Sequence, residues 1–209
     1  MTSFLERRGI MPKETFLNLP LDKLTRIDNI LLDIFFNQPV SQVSVSQIVE
    51  QMNMSRGAFY KYFEDLEDAY EYTVRKHALV VHQDILFHIR QHQENFFLGI
   101  EQYLVWCTSL DVSHPYYKGL KLLTHSGEQQ TIKRRPLSTS SKELIEWITL
   151  LEKNQFAIQD TDEAVSLLYF IMELVMTSIS DYIVNDWYQE ELIKDYRYKT
   201  KWLLNGLKS

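Results

Sequence analysis

Two helix-start signals follow each other closely between Ser44 and Phe63, where the chain reads SVSQIVEQMNMSRGAFYKYF. Ser44-Val45-Ser46-Gln47 has the S-x-x-Q form, in which a serine oxygen and a glutamine side chain satisfy the unpaired amides of a helix's first turn. A short helix to about Met52 follows, Asn53-Met54 makes a brief turn, and Ser55 is placed to cap a second short helix, Arg56 to Tyr62. Two short helices about such a turn form a helix-turn-helix unit.

The second helix carries what a DNA-reading helix needs, donors near its N-terminus on a side free to reach base edges and phosphates. Arg56 can bind guanine or a phosphate through two donors. Gly57 and Ala58 leave room for close approach, and Ala58 can meet a thymine methyl. Tyr60 and Lys61 suit phosphates, as do the Ser44 hydroxyl and nearby amides. The expected DNA-contacting set is therefore Ser44, Ser55, Arg56, Gly57, Ala58, Tyr60 and Lys61. Phe59 and Phe63 are expected to pack back on Ile48, Val49 and Met52. The plainer alternative is a helical hairpin with a solvated basic face.

The rest of the chain reads as helix. Only 6 Gly and 5 Pro stand among 209 residues, too few turn-makers for a barrel or sandwich of many short strands. Asp22 to Asn37 carries Leu24, Ile27, Leu31, Ile34 and Phe35 on one stripe, between Pro20 and Pro39. Asp65 is placed to cap a long helix to about Gln91. Further helical stretches run near Asn95–Leu110, Pro115–Leu123, Ser138–Asn154, Asp162–Asn185 and Gln189–Leu207, with a polar loop over Thr124–Pro136. The expected fold is all-α, with a three-helix head over residues 1–64 and a helical-bundle body over residues 65–209.

Charge and cysteine content narrow the function. The chain carries 22 Lys and Arg against 28 Asp and Glu, a net charge of −6. Residues 1–64 balance, 7 against 7, so the whole deficit lies in the body. An acidic body permits DNA binding by a neutral head, with modest non-specific affinity. The single cysteine, Cys107, excludes an internal disulfide and a multi-cysteine metal cluster. No apolar run near 20 residues and no leader-like start are evident, so the expectation is a cytoplasmic protein without a membrane. The first ten residues read equally as native structure or as a loose arm, with Met11 opening a more regular segment.

The window from Ser44 to Phe63 resembles the head of the TetR family of bacterial repressors. That family pattern has a hydroxyl residue capping one helix, a turn, then Ser, a basic residue, Gly and an aromatic pair like Tyr-x-x-Phe. Ser44, Ser55, Arg56, Gly57, Tyr60 and Phe63 fit those positions. Asn53 stands where the turn usually has Gly, and Leu66 where a phosphate-contacting Lys is common. The match covers about a tenth of the chain, and the rest agrees in length and helical layout.

The resemblance implies a dimeric repressor on a double-stranded DNA operator, with a small-molecule effector held inside the body. Lining candidates on the middle helices are Tyr103, Trp106, Cys107, Tyr116, Trp147, Tyr169 and Met172, whose aromatic character suits a flat or apolar ligand. By helical phase His82 joins Ala78, Ile85 and Ile89 on the core side of the long helix. His77, Asp84 and His88 fall on the opposite side and are expected to be solvated. The segments MPKETF from Met11 and YFEDLEDAY from Tyr62 look similar to haem-responsive members, which makes His82 a candidate axial ligand to haem iron. Ordinary core packing is the alternative for each of these residues.

Dimerisation is expected on the last two helices, through Leu168, Ile171, Val175, Ile179, Leu192, Tyr196 and Leu203, as a four-helix interface, with a purely intrachain bundle as the alternative. The chain has no Gly-rich phosphate loop, G-x-S-x-G elbow or H-E-x-x-H pair, so no enzyme is expected. The competing readings are a small-molecule sensor without DNA affinity and a helical adaptor.

Overall fold

A computed structural model describes residues 12–92, 94–126 and 142–206, and among them every regular element is helical. The helices are α1 (Glu14–Leu17), α2 (Leu21–Asn37), α3 (Val45–Met52), α4 (Arg56–Tyr62), α5 (Leu66–Gln91), α6 (Phe96–Thr108), α7 (Pro115–Ser126), α8 (Lys142–Lys153), α9 (Thr161–Val184) and α10 (Gln189–Asn205). A 3-10 turn, Val40–Gln42, follows α2. The chain divides into two compact units, Met1–Leu79 with Asp111–Ser126, and Val80–Leu110 with Gly127–Ser209. The division falls inside α5, beyond the residue-64 boundary expected from the sequence, and brings α7 into the first unit.

Local capping chemistry sets the helix starts. The Ser44 and Ser55 hydroxyls accept from the Gln47 and Ala58 amides, each at 3.2 Å. Asp65, Asn95 and Asp160 do the same for α5, α6 and α9, accepting from Asp68, Leu98 and Glu163 at 2.9, 3.1 and 2.8 Å. Each such cap is worth about 1 kcal/mol. α9 thus begins at Thr161, one residue before the expected start. The expected loop at Thr124 is instead the last turn of α7, which runs to Ser126. The remainder of that loop, the expected helix start at Ser138 and the end at Leu207 lie outside the described residues.

In the first unit α2, α3 and α4 bury Leu31, Ile34, Ile48 and Phe59 against the start of α5 and α7. α1 was not foreseen. Its Phe16 is fully buried, with ring centroids 4.9 to 5.7 Å from Phe63, Tyr72 and Tyr62. The Lys13 amide donates to the Tyr62 carbonyl at 2.8 Å, which ties this segment to the end of α4.

His77 is half-buried on α5, which corrects the expectation that it is solvated. Its ring fills the notch left by Gly119 on α7, where a Cβ would come within 2.6 Å of Nδ1. Burial, and then the Lys76 charge, push its pKa down to about 4, while Asp28 opposes them. Asp28 is itself buried and accepts from Tyr72 Oη at 2.8 Å and from Lys76 Nζ.

The second unit is a bundle in which α9 and α10 pack on each other and on α6, and α8 packs on α9. Its core includes Ile100, Tyr103, Leu104, Leu144, Trp147, Ile171, Val175 and Leu192. α9 is long and apolar enough to cross a bilayer by length and composition, contrary to the expectation that no stretch is. Here it serves as a bundle helix, although only 28% of its most apolar window is buried inside the chain.

Candidate DNA interface and effector site

α4 is amphipathic. Phe59, Tyr62 and Phe63 turn inward, while Ser55, Arg56, Gly57, Tyr60 and Lys61 are exposed and Ala58 is half-exposed. The exposed set and the exposed Ser44 are the residues expected to meet DNA. Between α3 and α4 the chain reverses at Asn53, held at φ 51° and ψ 52°. That left-handed conformation costs a side chain less when it is Asn than when it is any other non-glycine residue, so Asn53 substitutes for the usual glycine.

Two features of this surface were not read from the sequence. Arg56 leans on the preceding helix, its guanidinium donating to the Ser46 hydroxyl at 3.4 Å. Lys13 Nζ donates to the Tyr60 carbonyl at 3.0 Å, a cation at the C-terminal end of α4 where the helix dipole favours it. Gly57 has open space: a Cβ there would meet nothing closer than the Ser55 Oγ at 3.9 Å. Packing does not require a glycine at 57. Leu66, in the place of the family's lysine, is partly buried against the core of the first unit.

In the second unit the aromatic candidates divide. Tyr103 and Trp106 on α6 stand with ring centroids 5.9 Å apart, and His88 lies 5.4 Å from the first and 5.6 Å from the second. His88 is thus half-buried among rings, which corrects its expected solvation. α5 is packed on more than one side, so no single polar face exists for helical phase to find. The His88 Nδ1 lies 2.8 Å from the Asp84 carbonyl oxygen, which makes Nδ1 the donor.

Cys107 is buried next to this group, and burial pushes its thiol up to about 12, so it is an inert core thiol. Met172 is buried and Tyr169 half-buried on α9. Tyr116 lies on α7, in the first unit. Trp147 is 2% exposed, donates its indole N–H to the Ala164 carbonyl at 2.8 Å and forms part of the wall of a groove of about 420 Å³.

His82 is half-buried, and desolvation lowers its pKa. A metal-ligating imidazole is normally oriented by a hydrogen bond from its other ring nitrogen. Among the described residues neither nitrogen of His82 has such a partner from the protein. No group of three or more His, Cys, Asp or Glu side chains among the described residues is placed to hold a metal ion.

The expected dimer stripe needs correction. Ile171, Val175, Ile179, Leu192 and Tyr196 are buried within the single chain, and Tyr196 Oη donates to the Phe97 carbonyl at 2.9 Å. The stripe is the inner seam joining α9 and α10 to α6. Helical phase finds an apolar face without saying which neighbour covers it. Leu168 is half-buried, and of the expected set Leu203 is exposed. The outward residues are instead Phe170 on α9 and Tyr198, Trp202, Leu203 and Leu204 on α10, with Tyr198 and Trp202 stacked at 15°.

Residues 95–207 match a family described as "Tetracyclin repressor-like, C-terminal domain". Among solved structures, a TetR family transcriptional regulator from Chloroflexus aurantiacus J-10-FL is similar over 93% of this chain and 91% of its own, with 22% identity and a TM-score of 0.44. No curated protein matches.

Proposed function

Because this chain belongs to the tetracycline-repressor-like family of transcriptional regulators, we propose that it is an effector-responsive repressor that binds a two-half-site operator as a dimer. The observation that supports operator reading is the division of α4. One side anchors it by Phe59, Tyr62 and Phe63, and the other presents Arg56, Gly57, Tyr60 and Lys61 to solvent. Arg56 takes the base-reading role, Lys61 and Tyr60 hold phosphates, and Ser44 and Ser55 add hydroxyls at the two helix starts. Gly57 keeps the helix surface low where it meets the groove floor, since nothing in the protein itself requires a glycine there.

The dimer face in this reading is the outer side of α9 and the end of α10. Only 28% of the most apolar window of α9 is fully buried, and Phe170, Trp202 and Leu203 stand exposed. A two-fold dimer presents two equivalent heads, so the operator holds two related half-sites. The effector belongs to the second unit, where the aromatic residues of α5, α6 and α8 gather.

The direct experiment is a mobility shift with a labelled fragment from upstream of the chain's own gene. Retardation by the full chain, weakened in Arg56→Ala, is the expected result. Absence of any sequence-selective retardation would favour the sensor or adaptor readings.

A further inference from the structure

α4 has 7 residues, too few to be stable alone in water, so its pose is set by what packs on it and closes its ends. Its last helical bond runs from the Phe63 amide to the Phe59 carbonyl at 2.9 Å. The carbonyls from Tyr60 onward therefore need partners outside the helix. Two of them are closed by one residue that lies 47 positions before Tyr60. Lys13 donates its amide to the Tyr62 carbonyl at 2.8 Å and its Nζ to the Tyr60 carbonyl at 3.0 Å. The same end of α4 is gripped again at Tyr62, whose hydroxyl accepts from Lys23 Nζ at 3.1 Å and whose ring meets the buried Phe16 edge-on at 5.7 Å.

This placement separates Lys13 from an ordinary phosphate-neutralising lysine, which strengthens binding to every DNA alike. Its ammonium is directed at the helix itself, at the end opposite Arg56. α4 cannot slide along its axis or tilt without lengthening one of the two Lys13 bonds. Side chains that read a partner work only within about 0.5 Å of their productive geometry, so a slack helix loses discrimination before it loses contact.

We propose that Lys13 is a positioning residue for sequence discrimination, fixing the axial position of α4 from which Arg56 reads the operator. The proposal rests on the reading of α4 as the operator-contacting helix.

The test uses the full chain and two labelled DNAs, the fragment from upstream of its own gene and the same fragment with its sequence scrambled. Lys13→Met keeps the apolar stem and the main-chain amide and removes the ammonium. It is expected to lower affinity for the intact fragment about tenfold, with affinity for the scrambled fragment and the slope against salt unchanged. Lys13→Arg is expected to recover most of the loss. An equal loss on both fragments, with the salt slope smaller by about 0.9, identifies a phosphate contact and overturns the proposal. Hydrogen exchange without DNA is the second readout. The amides of Lys61, Tyr62 and Phe63 are expected to exchange at least about fivefold faster in Lys13→Met, and those of α3 at the wild-type rate. Unchanged exchange in α4 overturns the brace, and faster exchange with unchanged discrimination overturns its part in reading. If Lys13→Met does not fold, Lys13→Gln is measured in the same way. A wild-type chain that does not distinguish the two fragments refutes the regulator reading and the discrimination role with it, while exchange still decides whether Lys13 braces α4.

Discussion

Gly99 on α6 lies directly against the backbone of α5 at Ile89: a Cβ at position 99 would stand 2.5 Å from the Ile89 Cα and 2.9 Å from the His88 carbonyl oxygen. Neither atom belongs to a flexible side chain, so neither can yield. Gly99→Ala is therefore expected to force α5 and α6 apart and to destabilise the protein by about 1–3 kcal/mol. Urea unfolding reads this as a lower midpoint. An unchanged midpoint would mean that the two helices do not cross so closely.

Position 57 gives the opposite balance. Gly57→Ala meets no neighbour and gains helix propensity, so stability is expected to hold or to rise by up to about 1 kcal/mol. Operator affinity is expected to fall, because the new methyl projects from the exposed side of α4 that is proposed to meet DNA. Arg56→Ala is expected to cost about 1–3 kcal/mol of specific binding with relaxed discrimination at one base position, whereas Lys61→Ala weakens all sequences alike and flattens the salt dependence. Retention of wild-type affinity and stability in all three variants would remove α4 from the DNA interface.

The inner and outer sides of α9 are expected to respond differently to one substitution. Ile179 is 1% exposed, so Ile179→Asp buries an unpartnered charge in the chain's own core and unfolds it. Phe170 is 42% exposed, so Phe170→Asp leaves the monomer folded and weakens self-association. Sedimentation with circular dichroism separates the two effects. A folded, monomeric Ile179→Asp protein would restore the stripe first read from helical spacing.

His77 makes stability depend on pH in a definite direction. Its ring takes up a proton near pH 4 in the folded chain and near its ordinary 6.5 in the unfolded one. Between those values the unfolded state binds more protons, so stability is complete above pH 6.5 and is lost as pH falls towards 4. At 1.36 kcal/mol per unit the loss is at most about 3 kcal/mol. His77→Gln is expected to lose less stability than wild type between pH 7 and pH 4.5. Equal losses in the two proteins would show that other groups set the acid limb.

The helix-turn-helix was legible because its signals are local. Ser44, Asn53 and Ser55 act on residues within one turn of themselves, and the structure places α3 and α4 where those three residues put them. What depends on neighbours distant in sequence was not legible. Nothing near His77 announces that Gly119 leaves a notch for it, and nothing near Ile179 says that α6 and α10 cover it. The exposed side of α9 was hidden for the same reason, since a helix apolar on most sides gives periodicity little contrast. By helical phase alone Asp84 falls on a polar, solvated side. That it shares a groove with Trp147 follows only from how α5 and α8 are arranged.

Trp147 is a shared mechanical member of the second unit. Its indole is pinned to the Ala164 carbonyl in the first turn of α9, and its other edge forms the wall of the groove. The same helix carries Phe170 exposed on its outer side. A hydrogen bond of about 1 kcal/mol and close packing make that connection stiff. The groove wall on α8 and the helix that bears the exposed Phe170 are therefore joined by a direct side-chain contact, with no loop between them.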